Sequence, residues 1–177
     1  FLQIQGSGRL RLPDGGVMAA DYRDLTVRFN AKGEEILPSP IPVFSYEGVF
    51  RDGDGSIWHS PKQGLKRFDP FSGEGAWVIP AGDRNCFTRF LREGDSLWTT
   101  DQSGIHCWRD GELRRVHTNV GNEGFRRAQF LRRRDAESLW FGTCDGLYAL
   151  RTASGQVDTI DDLRGRCVRA MEHIDGR

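Results

Sequence analysis

The sequence predicts an all-β fold, namely a fragment of a β-propeller with about four four-stranded blades. Two repeated features carry this prediction. A Trp recurs at intervals of 40 and 42 residues, as Trp58, Trp98 and Trp140. Six residues after each Trp stands a Gly followed by an aliphatic residue, as Gly64, Gly104 and Gly146. The composition agrees, because 22 Gly and 7 Pro leave segments between turns that are shorter than helices of about ten residues.

Each repeat divides into four segments of strand length. In the second repeat these segments are Gly48–Arg51, Ser56–Ser60, Leu65–Asp69 and Gly75–Ile79. A unit of about 40 residues with four antiparallel strands is one propeller blade, and neighbouring blades bury faces that one sheet cannot bury alone. Within a partial propeller over 1–177, we expect blades at approximately 4–43, 44–83, 84–123 and 124–163, with 164–177 starting the next blade.

The repeated Trp and Gly residues are expected to be structural. A Trp at a fixed place in each blade buries about 150–250 Å². The Gly six residues later is expected to supply a backbone conformation that other residues avoid, at the hairpin between the second and third strands. The first repeat is degenerate, because Met18 stands in the Trp position. The chain begins with Phe1 and stops two residues before the next Trp position, so we expect a piece of a longer protein.

The overall charge and hydropathy argue against a nucleic-acid partner and against a membrane helix. The 25 Lys and Arg residues balance 25 Asp and Glu residues, which argues against nucleic acid as a partner. Apolar runs such as Ala76–Ile79 are far shorter than the roughly 20 residues of a membrane helix.

The fourth repeat carries a family resemblance. Its segment Ser138–Leu150 reads SLWFGTCDGLYAL and resembles the two-component regulator propeller repeat. The second and third repeats keep the Ser-aliphatic-Trp and Gly-aliphatic parts, although His59-Ser60 and Thr99-Thr100 replace Gly-Thr.

This resemblance implies the ligand-sensing region of a bacterial signal-transduction receptor, located in the periplasm. Its ligand would be a small molecule or a glycan. Its other partners would be the remaining blades and the signalling domains of the same chain, where any kinase or cyclase activity would lie. A homodimer of the full receptor is left open.

The ligand-binding residues are expected at the funnel entrance of the propeller. Loops between blades and hairpins between the second and third strands form that entrance. This geometry selects eight residues, namely Tyr46, Lys62, Gln63, Asn85, Asp101, Gln102, Glu123 and Asp145.

No catalytic residues, metal site or cofactor are expected, since the sequence contains no nucleophile elbow, phosphate loop or dinucleotide fingerprint. One alternative is a periplasmic propeller lyase or hydrolase, which would need polar side chains converging on the axis. A less favoured alternative is a lytic-transglycosylase-related fragment, because Gln5–Gly8 is similar to a segment of one class of murein lytic transglycosylases.

The remaining reactive side chains are first interpreted as packing or surface groups. The cysteines have no Cys-x-x-Cys spacing, so zinc is not expected and a disulfide is left open; they are Cys86, Cys107, Cys144 and Cys167. The four histidines likewise show no metal-binding spacing; they are His59, His106, His117 and His173. Asp52–Ser56 is expected to form a tight turn rather than a calcium loop. Arg132–Arg134 is expected at a hairpin tip on the face opposite the entrance, either solvated or contacting an anion or partner.

Overall fold

The computed structural model describes residues 9–20, 26–36, 49–60, 64–79, 87–118 and 128–171. In these ranges the chain forms sixteen β-strands and one short 3₁₀ helix. The strands make four four-stranded antiparallel sheets, one for each repeat, and each sheet follows the order of the chain. The predicted all-β fold of four propeller blades is therefore confirmed. Within the described part, no helix is both long and apolar enough to cross a membrane.

The first sheet contains β1 (Arg9–Arg11), β2 (Val17–Ala20), β3 (Thr26–Phe29) and β4 (Glu35–Ile36). The second contains β5 (Val49–Arg51), β6 (Ile57–His59), β7 (Leu65–Phe68) and β8 (Gly75–Ile79). The third contains β9 (Arg89–Glu93), β10 (Ser96–Thr100), β11 (Gly104–Arg109) and β12 (Glu112–Thr118). The fourth contains β13 (Phe130–Arg133), β14 (Ser138–Thr143), β15 (Gly146–Arg151) and β16 (Val157–Thr159), followed by the 3₁₀ helix Asp161–Leu163. In the second sheet, every strand end lies within one residue of its predicted place.

The chain divides into two compact units, Phe1–Thr88 and Arg89–Arg177, and each unit holds two sheets. In the first unit, the core lies between the two sheets. Leu10 and Met18, which pair across β1 and β2, are buried and belong to one cluster with Ile57 and Phe68, which pair across β6 and β7. The face that carries the Trp position of one sheet thus packs against the opposite face of the next sheet.

The second unit repeats this arrangement. Trp98 of the third sheet belongs to one buried cluster with Leu139, Phe141 and Leu150 of the fourth sheet. Leu139 precedes the repeated Trp of its own strand and Phe141 follows it, so both lie on the opposite face from that Trp. The same packing rule therefore holds in both units, as expected when each blade buries the face of its neighbour.

Side chains at repeat-equivalent positions also join the sheets. The Arg51 guanidinium donates to the Arg11 carbonyl at 2.9 Å, and these residues are 40 positions apart. In the second unit, the Arg133 guanidinium donates to the Glu93 carboxylate at 2.7 Å, again across 40 positions. The period of the sequence is therefore the period of the contacts between blades.

The three repeated Trp residues occupy equivalent places on β6, β10 and β14, but their burial differs. Trp58 is fully buried and Trp98 is 5% exposed. Trp140 is half-buried, so it is less buried than Trp58 and Trp98 in this chain. In the described residues its ring lies under the Arg134 guanidinium, 4.6 Å from the ring centroid.

Gly104, at the start of β11, lies against the neighbouring strand β12. Its φ is +158°, and a Cβ built there would lie 1.8 Å from the His117 carbonyl oxygen. Gly104→Ala is therefore expected to push β11 and β12 apart and lower the free energy of unfolding by about 3 kcal/mol. Urea unfolding followed by circular dichroism measures the loss.

The matched control for this substitution is Gly111→Ala in the same sheet. Gly111 has φ +82°, and a Cβ built there meets nothing within 4 Å. Only backbone strain of about 1–2 kcal/mol is expected there. Equal losses for the two variants would show that the approach of β12 does not constrain Gly104.

Candidate functional site

The structure places three of the eight expected ligand-binding residues. Asp101 and Gln102 lie in the hairpin between β10 and β11, and Asp145 lies in the hairpin between β14 and β15. Both hairpins join the second and third strands of their sheets. The other five expected residues lie outside the described residues; they are Tyr46, Lys62, Gln63, Asn85 and Glu123.

Asp101 forms the centre of the first hairpin. The chain turns over Asp101-Gln102-Ser103-Gly104, because an Asp carboxylate can accept bonds from backbone N–H groups two and three residues ahead. Asp101 Oδ1 accepts from the Ser103 amide at 2.7 Å, the Gly104 amide at 2.8 Å and the Ser103 hydroxyl at 2.7 Å. The His106 Nε2 lies 3.0 Å from the same oxygen. One carboxylate oxygen thus holds the whole turn.

Both members of the Asp101–His106 pair are buried, with side chains 0% and 5% exposed. Burial alone raises the pKa of Asp101, but the hydrogen bonds from His106 and Ser103 outweigh it and hold this pKa below the usual value. Asp101 is therefore an ionised carboxylate at neutral pH.

Two buried oxygens beside this turn have no hydrogen-bond partner among the described residues. They are Asp101 Oδ2 and Thr99 Oγ1. Thr99 is directly opposite His106 in the β10–β11 ladder and lies two residues before Asp101. Residues directly opposite in a ladder share a face, and Asp101 contacts His106 directly, so Thr99 and Asp101 both lie beside the His106 ring.

The hairpin between β14 and β15 also brings polar side chains together. The Asp145 amide donates to the Thr143 hydroxyl at 2.9 Å, and the Tyr148 hydroxyl lies 3.4 Å from the Asp145 carboxylate. Tyr148 also stacks on Phe141, with ring centroids 5.1 Å apart. His106 and Tyr148 each follow their repeated Trp by eight residues, so they hold equivalent places in adjacent sheets.

A disulfide lies beside Asp145. Cys144 pairs with Cys167, which follows the 3₁₀ helix. The Gly165 amide donates to the Asp145 carbonyl at 2.9 Å, and the Val168 amide donates to the Thr143 carbonyl at 2.8 Å. The segment after the helix is thus tied to the hairpin by one covalent bond and two hydrogen bonds.

The first interpretation of the cysteines as buried thiols is therefore wrong for Cys144 and Cys167. Their spacing of 23 residues gave no signal for pairing. Cys107 is a free thiol, and burial raises its pKa. Cys86 lies outside the described residues.

Ser103, His106 and Asp101 have the composition of a hydrolase triad but not its geometry. In a triad, the two nitrogens of the His contact the Ser and the Asp separately. Here the Ser103 hydroxyl lies 3.5 Å from the same His106 nitrogen that contacts Asp101, and it donates directly to Asp101. The described contacts of this cluster hold the turn and do not have the geometry of a serine hydrolase triad.

The Asp52–Ser56 segment forms a tight turn, as expected. The Asp52 carboxylate accepts from the Gly53 amide at 2.8 Å and from the buried Trp58 indole at 3.0 Å. The Asp54 carboxylate accepts from Ser56 and pairs with Arg67. Across the described ranges, His, Cys, Asp and Glu side chains form no group of three suited to a metal ion.

The arginine cluster lies at the opposite end of the fourth sheet from Asp145. Arg132 and Arg133 end β13 and Arg134 starts the turn to β14, which is the hairpin tip that the sequence indicates. A groove of about 840 Å³ lies beside this tip in the second unit. The Arg133–Glu93 pair lines the groove, and so does the free thiol Cys107.

His59 occupies, in the second sheet, the place next to the repeated Trp. Its side chain is almost fully buried, and burial, with a contribution from the charge of Lys66, lowers its pKa to about 4. The unfolded chain takes up a proton at this His below about pH 6.5, whereas the folded chain does not. The contribution of neutral His59 to the free energy of unfolding is therefore fully present above pH 6.5. About 3 kcal/mol of that free energy is expected to be lost as the pH falls to 4.

Urea unfolding of His59→Asn between pH 7 and pH 4 tests this expectation. The variant is expected to lose the steep acid dependence over that range. His117→Asn is the control, because His117 is only half-buried and its pKa is lowered less far from the ordinary range. An unchanged acid slope in His59→Asn would assign the pH dependence to other groups.

Comparison with known proteins shows the fold. No family model and no curated protein matches the chain. The extracellular domain of BT4673 from B. thetaiotaomicron, assigned as a hybrid two-component system, is similar with a TM-score of 0.66 and 15% identity. The match covers 85% of this chain and 21% of that one.

Two further solved structures have a similar fold. The extracellular domain of BT3049 from B. thetaiotaomicron, also assigned as a hybrid two-component system, has a TM-score of 0.62 and 12% identity, over 89% of this chain and 24% of that one. U3-55K has a TM-score of 0.61 and 14% identity, over 89% of this chain and 53% of that one. This chain thus spans about a fifth to a quarter of the two bacterial domains, and at these identities the likeness is one of fold.

Proposed function

We propose that this chain is part of the ligand-sensing, extracytoplasmic propeller of a bacterial signal-transduction receptor. It would bind a small molecule or glycan and pass a conformational signal across the membrane. The observation that carries the proposal is the pair of polar corners, Asp101 with His106 and Asp145 with Tyr148, at the hairpins where propeller geometry locates ligand entry. Both corners lie in the hairpin between the second and third strands, and His106 and Tyr148 each follow their repeated Trp by eight residues.

The fold likeness supports the sensing role. Two of the similar structures are extracellular domains of proteins assigned as hybrid two-component systems. The repeat Ser138–Leu150 resembles that of propellers in such receptors. The partners we propose are therefore the ligand, further blades and signalling domains of the same chain, with any catalytic output in those domains rather than in these blades.

The disulfide supports an extracytoplasmic, periplasmic location. Cys167 is exposed, so the Cys144–Cys167 bond is open to cellular reductants. Disulfides persist mainly in oxidising compartments, and the bacterial periplasm is one of them.

A thermal-shift screen of the 177-residue chain against monosaccharides, oligosaccharides and small metabolites tests the proposal. A compound that binds the folded chain raises its melting temperature in proportion to affinity. Asp145→Asn is expected to weaken that compound about tenfold, because a carboxylate that accepts ligand hydrogen bonds loses its charge.

Asp158→Asn is the matched control. The Asp158 side chain is 41% exposed on β16 and pairs with Arg151 at 3.4 Å, so it is a carboxylate outside the β14–β15 hairpin. Its substitution is expected to leave affinity unchanged. A panel in which nothing binds, or in which both variants respond alike, would contradict ligand binding at this end of the sheets.

A further inference from the structure

The two unpartnered oxygens at the end of β10 are costly for the folded protein. Asp101 Oδ2 and Thr99 Oγ1 are buried and accept or donate no hydrogen bond among the described residues. A buried polar group without a partner costs about 1–3 kcal/mol, so most proteins satisfy or replace such groups. Sites where a fold keeps this cost are commonly sites of function.

The position of the two oxygens suits a ligand. Thr99 is directly opposite His106 and Asp101 contacts His106, so both side chains lie beside that ring, and two residues correspond to about 6.6 Å between Cα atoms in extended chain. Each can reach a ligand atom at about 2.8 Å, so two adjacent ligand groups can bridge them. Asp101 is followed directly by Gln102, which is exposed, so the site lies one residue from solvent at the end of the sheet.

The charge of the site favours a cation. Among the described residues, the one basic group within ion-pair distance of Asp101 is His106, and it contacts Oδ1. Oδ2 therefore presents a buried, uncompensated part of a carboxylate. A charge-assisted hydrogen bond from an ammonium is roughly twice as strong as one between neutral groups, whereas an anionic ligand would be repelled.

The hydroxyl adds a second requirement. Thr99 Oγ1 can both donate and accept, so it pairs best with another hydroxyl. We propose that Asp101 Oδ2 and Thr99 Oγ1 form a binding site for a vicinal amino alcohol, that is, a ligand with an ammonium and a hydroxyl on adjacent carbons, as in an amino sugar. The inference rests on the proposed ligand-sensing function and names the chemical class that this corner recognises.

Ligand entry requires the turn to open. The two oxygens are buried in the free protein, and the residues that follow Asp101, namely Gln102 and Ser103, form the turn between β10 and β11. Association is therefore expected to be slower than at a site that needs no conformational change.

Isothermal titration of the 177-residue chain with D-glucosamine and with D-glucose tests the class of ligand. The two sugars differ in one group, an ammonium in place of a hydroxyl. Glucosamine is expected to bind at least tenfold more tightly than glucose, since about 1.4 kcal/mol corresponds to a factor of ten. Equal affinities, or no binding of glucosamine, would overturn the proposal.

Thr99→Val tests the site. Valine has the shape of threonine without its hydroxyl, so the free protein is expected to melt at an equal or higher temperature. Glucosamine affinity is expected to fall at least tenfold in the same variant. Thr118→Val, at the exposed end of β12, is the control and is expected to change neither quantity.

The outcomes separate this site from the broader function. If Thr99→Val leaves the affinity for glucosamine unchanged, the proposed site is wrong. A compound from the screen that responds to Asp145→Asn but not to Thr99→Val would keep the sensing function and overturn this inference. A melting temperature that falls in Thr99→Val would show that the hydroxyl has a structural partner, which also overturns it.

Discussion

Trp58→Ala is expected to lower the free energy of unfolding by about 4 kcal/mol, a large part of the stability of a small domain. Trp58 is fully buried, and its indole nitrogen donates to the buried Asp52 carboxylate at 3.0 Å. The substitution removes the largest buried side chain of its sheet and also one donor to a buried carboxylate. Urea unfolding monitored by far-ultraviolet circular dichroism measures the change.

Two matched variants separate the causes of that loss. Trp58→Phe keeps an aromatic ring and removes the N–H, so about 1–2 kcal/mol is expected from the hydrogen bond. Trp140→Ala makes the same deletion at the equivalent repeat position, where the ring is half-buried under Arg134. About 2 kcal/mol is expected there, because less apolar area leaves water. A loss at Trp140 that matched the loss at Trp58 would contradict the burial described for the two sheets.

Asp101→Ala is expected to cost about 3–5 kcal/mol, the range for removing one partner of a buried pair. Asp101 Oδ1 receives hydrogen bonds from the Ser103 and Gly104 amides and contacts His106. The alanine variant removes the acceptor of all these groups at once. The β10–β11 hairpin is then expected to lose its turn, which hydrogen exchange of the Ser103 and Gly104 amides would detect as faster exchange.

Asp101→Asn and Asp95→Ala complete the series. The asparagine oxygen can still accept from the two amides, so its loss is expected to be about 1–2 kcal/mol. Asp95 is an exposed residue in the hairpin between β9 and β10, and its substitution is expected to change stability by less than about 0.5 kcal/mol. If Asp101→Asn were as unstable as Asp101→Ala, the charge rather than the turn hydrogen bonds would dominate.

The fold was predictable because its signals are local and repeated. The Trp on the second strand and the Gly at the start of the third recur in register, so each copy supports the others. Turn residues then fix strand ends, which is why β8 begins and ends where the sequence indicates. A single copy of the motif would have carried much less weight.

The site was less predictable because it depends on which atoms meet. The sequence pointed to Asp101 by its place in a hairpin, but not to Thr99 or His106 as its neighbours on one face. The Cys144–Cys167 disulfide could not be predicted from the sequence either, since it depends on how the chain returns after the 3₁₀ helix. The half-burial of Trp140 reflects what lies over its ring, which the repeat pattern does not contain.

The 40-residue spacing of Arg11 and Arg51, and of Glu93 and Arg133, bears on how such a chain is inherited. Within each unit the paired positions are 40 residues apart, so a tandem duplication or loss of one whole 40-residue repeat in the coding DNA would keep them in register. A duplication of 38 residues would not, because it would bring different side chains together at the junction. The whole repeat is therefore the unit that can be gained or lost while these two pairs of positions keep their register.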